Sequence, residues 1–452
     1  MSYVLNTADD RKAMLAAIGA DSLGELFQQI PAEFRLERPL NVAPALTELE
    51  LTQHMKGLAG QNRGAETSIC FLGGGAYDHF IPAVVDAIAG RSEYYTAYTP
   101  YQAEASQGSL QAFFEYQTLI CQLTGLDIAN ASLYEGGSAV AEAVFMAINQ
   151  TGRTGKVLIA ESVHPEYRKT LDTYLTNLDV HIRAQVLPTP EGFLNPDDLK
   201  RAIDDETVCV VVQHPNFFGC LEEVEAVARI ARERGVVFIV SFDPISLGIL
   251  KRPGDYGADI AIAEGQCLGN PLVYGGPYLG VLACREQFLR KMPGRLVGQT
   301  TDRNGKRCWV LTMQTREQHI RRAKATSNIC TNQGLFALRA AVYLAALGPQ
   351  GLRETAELCL RKAHYAAHQI AALPEVHLKY DRPFFKEFTL QLQGDVPALL
   401  RRLLAAGYHG GLALEQWYPD RADCLTLAVT EKRTKAEIDG LRTALAESLQ
   451  ER

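Results

Sequence analysis

The stretch VVFIVSFDPISLGILKRPGDYGADIAIAEGQCLGNPLVYGGPYLG, residues 236–280, decides the fold. A β-branched apolar run, 236–240, ends in Ser241-Phe242-Asp243, and a second apolar run, 259–263, opens into a Gly-rich loop. Short apolar runs bounded by turn residues read as buried strands of a parallel sheet, where ligands lie beyond the carboxyl ends, so both loops face one cleft. An aspartate at such a strand end can hold a heteroaromatic ring nitrogen protonated and make that ring an electron sink. A lysine to carry a carbonyl cofactor as a Schiff base should then lie within 264–269, and Glu264-Gly265-Gln266-Cys267-Leu268-Gly269 contains none. The nearest lysines are Lys251, in the polar turn KRPGDYG, and Lys291, beyond the Gly-Gly-Pro, and neither is well placed.

Outward from this stretch the pattern alternates. Strands are expected over 156–160, 181–187, 207–213, 236–242, 258–263 and 277–283, with helices over 165–174, 196–203 and 222–234, which argues for a largely parallel sheet covered on both faces. His164 stands just past the first of these strands, where an imidazole either stacks on a bound aromatic ring or serves as a plain cap. Further upstream, Gly136-Gly137-Ser138 precedes a helical pattern over 139–148. Small residues at a helix start expose several N–H groups at the positive end of the dipole, which suits a phosphate, and an ordinary Ser cap is the alternative. Gly73-Gly74-Gly75 is read as a turn before a helix near Pro82. Residues 91–108, RSEYYTAYTPYQAEASQG, hold four tyrosines in eight positions, an ordered aromatic loop expected to line a cleft. An amphipathic helix follows over 109–124.

Composition bounds the rest. The chain has 452 residues and 47% hydrophobic side chains, enough for a large core. A net charge of -7 gives no basic surface for nucleic acid, and the densest basic cluster, Arg316 to Lys324, is expected on a helix surface or at a subunit contact. Ten cysteines are scattered without a CxxC pair or a histidine at zinc spacing, so they read as reduced thiols, with no metal site expected. The first twenty residues lack a signal-peptide core, and no apolar run approaches the roughly 18–20 residues that cross a bilayer, so a cytoplasmic location without membrane contact is expected. Composition shifts divide the chain into a helical arm (1–65), a large α/β domain (66–335) and a small α+β domain (336–452). In the arm, Leu23, Leu26, Phe27 and Ile30 recur at helical spacing, which fits a short helix packed on a neighbour, either a dimer clasp or a surface helix. Residues 291–331 are polar and poorly periodic until 316–325, and Ala325-Thr326-Ser327-Asn328 forms a hydroxyl-rich turn before helices over 334–346 and 351–371.

Three literal segments narrow the reading: SEYYTAYTPYQAEASQGSLQAFFEYQTLICQLTGLDIANASLYEGG (92–137), GQCLGNPLVYGGPYLG (265–280) and REQHIRRAKATSNICTNQ (316–333). With them the chain resembles, over nearly its whole length, the first subunit of the two-subunit glycine decarboxylases, the P-protein family of the glycine cleavage system. Tyr134-Glu135-Gly136-Gly137-Ser138 departs from the family's usual Asp-Gly-Ala/Ser-Thr.

The resemblance implies a fold-type-I pyridoxal-phosphate transferase architecture, a mostly parallel seven-stranded sheet with a smaller α+β C-terminal domain. It implies a lysine-bearing partner, glycine dehydrogenase subunit 2, with two of each chain, pyridoxal phosphate bound by that partner, and transfer of an aminomethyl group to the lipoyl arm of H-protein after CO2 loss. On this resemblance Gln266 stands at the lost lysine, and Gly136, Gly137, Ser138, His164 and Asp243 are a relic cofactor pocket. Thr326, Ser327 and Asn328 are expected to reach the partner's cofactor phosphate, and Tyr95, Tyr98, Thr99, Tyr101 and Gln102 to line the glycine and lipoyl cleft. A purely structural or regulatory subunit, and a self-sufficient enzyme using Lys251 or Lys291, are the alternatives.

Overall fold

The computed structural model describes residues 5–36, 38–95, 99–176, 178 and 182–450. The chain divides into two units, 1–62 and 63–452. In the first, helices Ala8–Ala17 and Glu48–Ala59 each begin with a capping box, Thr7 with Asp10 and Thr47 with Glu50, which satisfies the exposed N–H groups of the first turn. The expected helix around Leu23 is a 3-10 turn, Leu23–Phe27, and no described residue between 5 and 62 is buried.

The second unit is built on a seven-stranded sheet: β1 (Ile128–Ala129), β2 (Lys156–Ala160), β3 (Arg183–Leu187), β4 (Thr207–His214), β5 (Val237–Phe242), β6 (Ile260–Glu264) and β7 (Gly280–Cys284). The spatial order is β1-β7-β6-β5-β4-β2-β3. The run β6-β5-β4-β2-β3 is parallel, and β7 lies antiparallel to both β6 and β1. The central strands are apolar throughout because both faces are covered. In β6, Ile260 and Ile262 pack into one cluster with Val140 and Val144, while Ala261 and Ala263 point into another with Ile120 and Tyr343. Strand β1 was not foreseen because two residues carry no periodicity.

A four-stranded antiparallel sheet, Val376–Leu378, Glu387–Leu392, Cys424–Ala428 and Leu412–Ala413 in that order, carries helices Val396–Ala405 and Lys435–Gln450. Its core joins Leu390, Leu399, Leu441 and Leu445 to Ala363 and Ile370 of helix Gly334–Ala371. That helix has the length and hydropathy of a membrane span. Gly348, at φ 61°, and Pro349 break it into the two pieces read from the sequence, and Ala337, Ala340 and Tyr343 are buried.

Residues 291–331 differ from expectation. Leu296–Thr301 and Arg307–Thr312 form an antiparallel hairpin, held by two glutamines of helix Gln107–Thr124. The Gln117 amide brackets Val297, donating to its carbonyl and accepting from its N–H at 3.0 Å each, and Gln107 does the same for Trp309 at 2.8 and 3.0 Å. Arg316, expected on a helix surface or at a subunit contact, is buried within the chain, and its guanidinium donates to the carbonyls of Met292, Gly294 and Met313. Those carbonyls solvate a charge that would otherwise favour water.

The small sheet is tied to the body by charge. Asp78 pairs with Lys432 and Arg433 at 2.6 and 3.0 Å, and Glu431 accepts from the Phe80 N–H and contacts His79 Nδ1, both at 2.6 Å. Burial works to raise the Glu431 carboxyl, but His79 and the backbone N–H groups override it and hold it near about 2. A carboxylate depressed on folding stabilises above its unfolded value of 4.5 and loses that contribution as pH falls toward 2. Urea unfolding between pH ~5 and ~2 should therefore show Glu431→Gln losing about 3 kcal/mol less stability than the parent chain.

Candidate functional site

Beyond the carboxyl ends of β5 and β6, the residues expected to form a cofactor pocket do come together, each already engaged. Asp243 Oδ2 pairs with Lys386 Nζ at 2.7 Å, and Oδ1 accepts from the Ile245 N–H at 2.9 Å. Lys386 is fully buried; it arrives just ahead of strand Glu387–Leu392, contacts His79 Nε2 at 3.0 Å, and lies 3.5 Å from the Tyr77 ring centroid. Burial acts to lower its ammonium, and the Asp243 carboxylate reverses this and holds it above its usual value. Gln266 is buried; its Oε1 accepts from the Tyr77 N–H at 2.8 Å and its Nε2 donates to the carbonyls of Tyr77 and Asn270 at 3.1 and 2.7 Å.

His164 stacks on Tyr167, with ring centroids 4.5 Å apart and planes 18° from parallel. Its Nδ1 accepts from the Glu166 N–H at 3.1 Å, so Nε2 carries the proton it donates to the Gly74 carbonyl at 2.7 Å. Burial lowers its pKa to about 4, which keeps the ring neutral.

The N-terminus of helix Gly136–Thr151 is capped by a carboxylate. Glu135 accepts from the N–H groups of Gly137 and Ser138 at 2.6 and 2.9 Å and from the Ser138 hydroxyl, while Glu264 accepts from the Gly136 N–H at 3.1 Å. Tyr167 covers this turn so closely that a Cβ on Gly136 would sit 2.3 Å from its hydroxyl. The space left among Gly75, Tyr77, Tyr167, Asp243, Glu264 and Lys386 is about 20 Å³, room for a single water.

Pyridoxal phosphate asks four things of such a pocket: free N–H groups for a dianion, a slot over an aromatic face, a carboxylate for the ring nitrogen, and an amine for the aldehyde. Here Glu135 and Glu264 occupy the N–H groups, Tyr167 occupies the face of His164, Lys386 neutralises Asp243, and Gln266 stands on the loop where the amine was expected. The residues present do not fit the group. A carboxylate at the phosphate end would repel it, and ~20 Å³ holds no ring. The sequence reading foresaw a vacancy; the structure has a filled pocket, and the lysine it brings there is Lys386, an ammonium fixed in an ion pair. Lys251 is exposed and paired with Glu225 at 2.7 Å. Removing one partner of a buried pair strands the other charge, so Lys386→Met should cost about 3–5 kcal/mol in urea unfolding, and Lys386→Met with Asp243→Leu should recover most of it.

A second site is open. A cavity of about 490 Å³ is lined by Tyr94, Tyr95, Pro100, Tyr134, Thr331 and Asn332, among others. It brings the tyrosine loop against the segment that follows 325–328, and the Tyr134 hydroxyl accepts from the Cys330 N–H at 3.0 Å. Tyr101 is 58% exposed, and Arg295 braces it, donating to its hydroxyl at 3.2 Å with the guanidinium 5.0 Å from the ring centroid. The Thr99 hydroxyl is buried with no hydrogen-bond partner among the described residues, Gln102 is exposed, and Tyr98 lies outside the described residues. Thr326 and Ser327 are half-buried and Asn328 is exposed. Ser327 Oγ accepts from the Ile329 N–H at 3.0 Å and bonds the Glu142 carboxyl, which burial pushes up to about 7. The sequence reading missed Arg295, Glu142, Tyr167 and Lys386, whose roles appear only once distant segments meet; Glu135 had a signal, since it sits in the motif that departs from the family pattern.

Known proteins agree with this architecture. A family model described as glycine cleavage system P-protein matches residues 1–445. The chain is 51% identical over 445 residues to a Desulforamulus reducens protein described as a probable glycine dehydrogenase (decarboxylating) subunit 1, covering 98% of this chain and 99% of that one. It is 52% identical over 446 residues to a similarly described protein of Chlorobium limicola, covering 99% and 100%. A crystal structure described as glycine decarboxylase (P-protein) of the glycine cleavage system, in inhibitor-bound form, superposes with a TM-score of 0.91 at 45% identity, covering 99% of this chain and 100% of that one. A glutamate decarboxylase of Lactobacillus brevis, at 14% identity and a TM-score of 0.68, shares the fold. The fold is thus that of the fold-type-I enzymes, and the chain belongs to the glycine cleavage system P-protein family.

Proposed function

We propose that this chain is the lysine-less subunit of a two-subunit glycine decarboxylase and acts by completing a site whose pyridoxal phosphate is held by a homologous, lysine-bearing partner. The observation that carries this reading is the contrast between the two sites: one filled by Glu135, Tyr167 and Lys386, the other an open cavity walled by tyrosines beside a hydroxyl-rich loop. In the assembled enzyme, two of each chain, glycine would lose CO2 and its aminomethyl carbon and nitrogen would pass to the lipoyl arm of H-protein. The cofactor supplies the electron sink for that bond cleavage from the partner.

The roles assigned to this chain's own residues follow from their chemistry. Tyrosine side chains combine an apolar ring with a polar tip, and Tyr95, Tyr98 and Tyr101 are assigned by their place on this loop to exclude water around a small amino acid and a dithiolane. Thr99 and Gln102 supply hydrogen-bonding groups on the same loop. Thr326, Ser327 and Asn328 offer hydroxyl and amide donors to a phosphate reaching across from the partner. Glu142, raised by burial to about 7 and so about half protonated at that pH, keeps Ser327 oriented without setting a full negative charge beneath that phosphate.

Turnover of glycine in the reconstituted pair tests the reading. Tyr95→Phe and Ser327→Ala should each lower kcat/KM by tenfold or more, about 1.4 kcal/mol of transition-state stabilisation; unchanged turnover in both would leave the chain a scaffold. Pyridoxal phosphate added to the chain alone should give no visible absorbance that borohydride fixes to the protein, and a fixed, stoichiometric adduct on this chain would overturn the assignment.

A further inference from the structure

Four arginines are buried among the described residues, and three have their charge met: Arg316 by backbone carbonyls, Arg421 by Glu161 at 3.0 Å and Arg433 by Asp78 at 3.0 Å. Arg295 is the exception. It is 2% exposed, pairs with no carboxylate among the described residues, and its Nε has no partner. Its two terminal nitrogens donate only to neutral oxygens at long range, one to Asn332 Oδ1 at 3.4 Å and the other to the Tyr101 hydroxyl at 3.2 Å. A buried charge met so weakly signals a missing counter-ion, because its desolvation is offset only by opposite charge or a full set of hydrogen bonds. Asn332 lines the cavity of about 490 Å³ at the tyrosine loop. Its Nδ2 donates to the Ala131 carbonyl at 2.8 Å and to Ser132 Oγ at 3.1 Å, which fixes the amide with Oδ1 toward Arg295. Ser132 is held at φ 133°, a conformation side chains rarely adopt, and its hydroxyl also accepts from the Gln333 N–H at 3.0 Å. Strain kept at a non-glycine position is typical of the walls of binding sites.

We infer that Arg295 binds the carboxylate of the amino-acid substrate, which enters the tyrosine-loop cavity of the assembled enzyme, with Asn332 and the Tyr101 hydroxyl flanking it. A guanidinium presents parallel N–H donors whose spacing matches a carboxylate, and such charge-assisted pairs are shorter and stronger than the neutral contacts at 3.2 and 3.4 Å that they displace. Both terminal nitrogens face the groups that make the wall, so the fork is already turned toward the cavity side. Glycine is a zwitterion. Its amine goes to the cofactor on the partner, and its carboxylate is the only charge left for this chain to read. Burial of the guanidinium strengthens that attraction, since little water competes for it. The inference rests on the proposed two-subunit reading and adds to it the group that recognises the acid end of the substrate.

The test uses the full chain assembled with the second subunit and measures retention of labelled glycine and labelled glycinamide by equilibrium dialysis. Glycinamide keeps the amine and the size of glycine and lacks the negative charge. Arg295→Gln should raise the dissociation constant for glycine by about tenfold or more and that for glycinamide by less than about twofold. Arg295→Lys, which keeps the charge and loses the fork, should fall between the parent and Arg295→Gln. Acetate should compete with glycine in the parent enzyme and lose that effect in Arg295→Gln. Equal losses for both amines, or none for either, overturn the inference. So does weaker assembly with the second subunit at an unchanged preference for glycine over glycinamide, since the counter-ion is then an acidic side chain of the partner. If the lone Arg295→Gln chain fails to fold, Arg295→Lys decides: a parental preference for glycine over glycinamide overturns the inference, and a reduced one supports it. A parent pair that binds neither amine sinks the two-subunit reading, and this inference with it.

Discussion

The arrangement depends on how a buried carboxylate is neutralised. Asp243 lies at the end of a central strand with almost no access to water, and an unpaired charge there would cost several kcal/mol. Its counter-ion is the Lys386 ammonium, delivered by the antiparallel sheet, so the electrostatic completion of the large sheet's pocket and the seating of the smaller sheet are one event. Around that pair the other polar demands of the pocket are met from within the chain: helix N–H groups by Glu135 and Glu264, the imidazole face by Tyr167, and the loop carbonyls and N–H by Gln266. A pocket satisfied in every direction has nothing left to recognise. On the function proposed above, the open cavity at the tyrosine loop carries this chain's contribution, through a partner.

Glu135 and Ser327 show the same physics used in opposite senses. At the start of helix Gly136–Thr151 a carboxylate takes the N–H groups that would hold a phosphate, so the positive end of the dipole is spent internally. On the loop at 325–328, hydroxyl and amide side chains are only half covered, and the carboxyl beneath Ser327 is raised by burial to about 7, so that loop carries donors without a strong opposing charge. Helix N–H groups are taken up internally in one place, and hydroxyl and amide groups are left partly open in the other.

Much of the fold was legible because buried strands and amphipathic helices leave periodic traces. Strands β2 and β4 to β6, and the break at Gly348, follow from apolar runs and from glycine and proline chemistry. The hairpin at 296–312 left no trace because its order comes from Gln107 and Gln117 bracketing single residues, and a glutamine on a helix reads as a surface residue. Arg316 was misplaced for a related reason: a run of basic residues reads as a solvated face, and only the carbonyls of Met292 and Gly294 explain why one of them is buried. Asp243 and His164 were marked by strand ends and Gln266 by the family resemblance, but the way the pocket is filled was not. Lys386 comes from a distant strand, and Tyr167 shares a helix face with nothing that marks it. The lack of a lysine within 264–269 is plain from the sequence, yet sequence spacing says nothing about which side chains move into the space.

An electron cryo-microscopy map of the assembled two-chain enzyme, prepared with pyridoxal phosphate and glycine, tests the central claim most directly. The account predicts cofactor density only on the partner's lysine, with Ser327 within hydrogen-bonding distance of its phosphate and Tyr167 still stacked on His164. Cofactor density between His164 and Asp243 of this chain, with Tyr167 and Lys386 displaced, would contradict it.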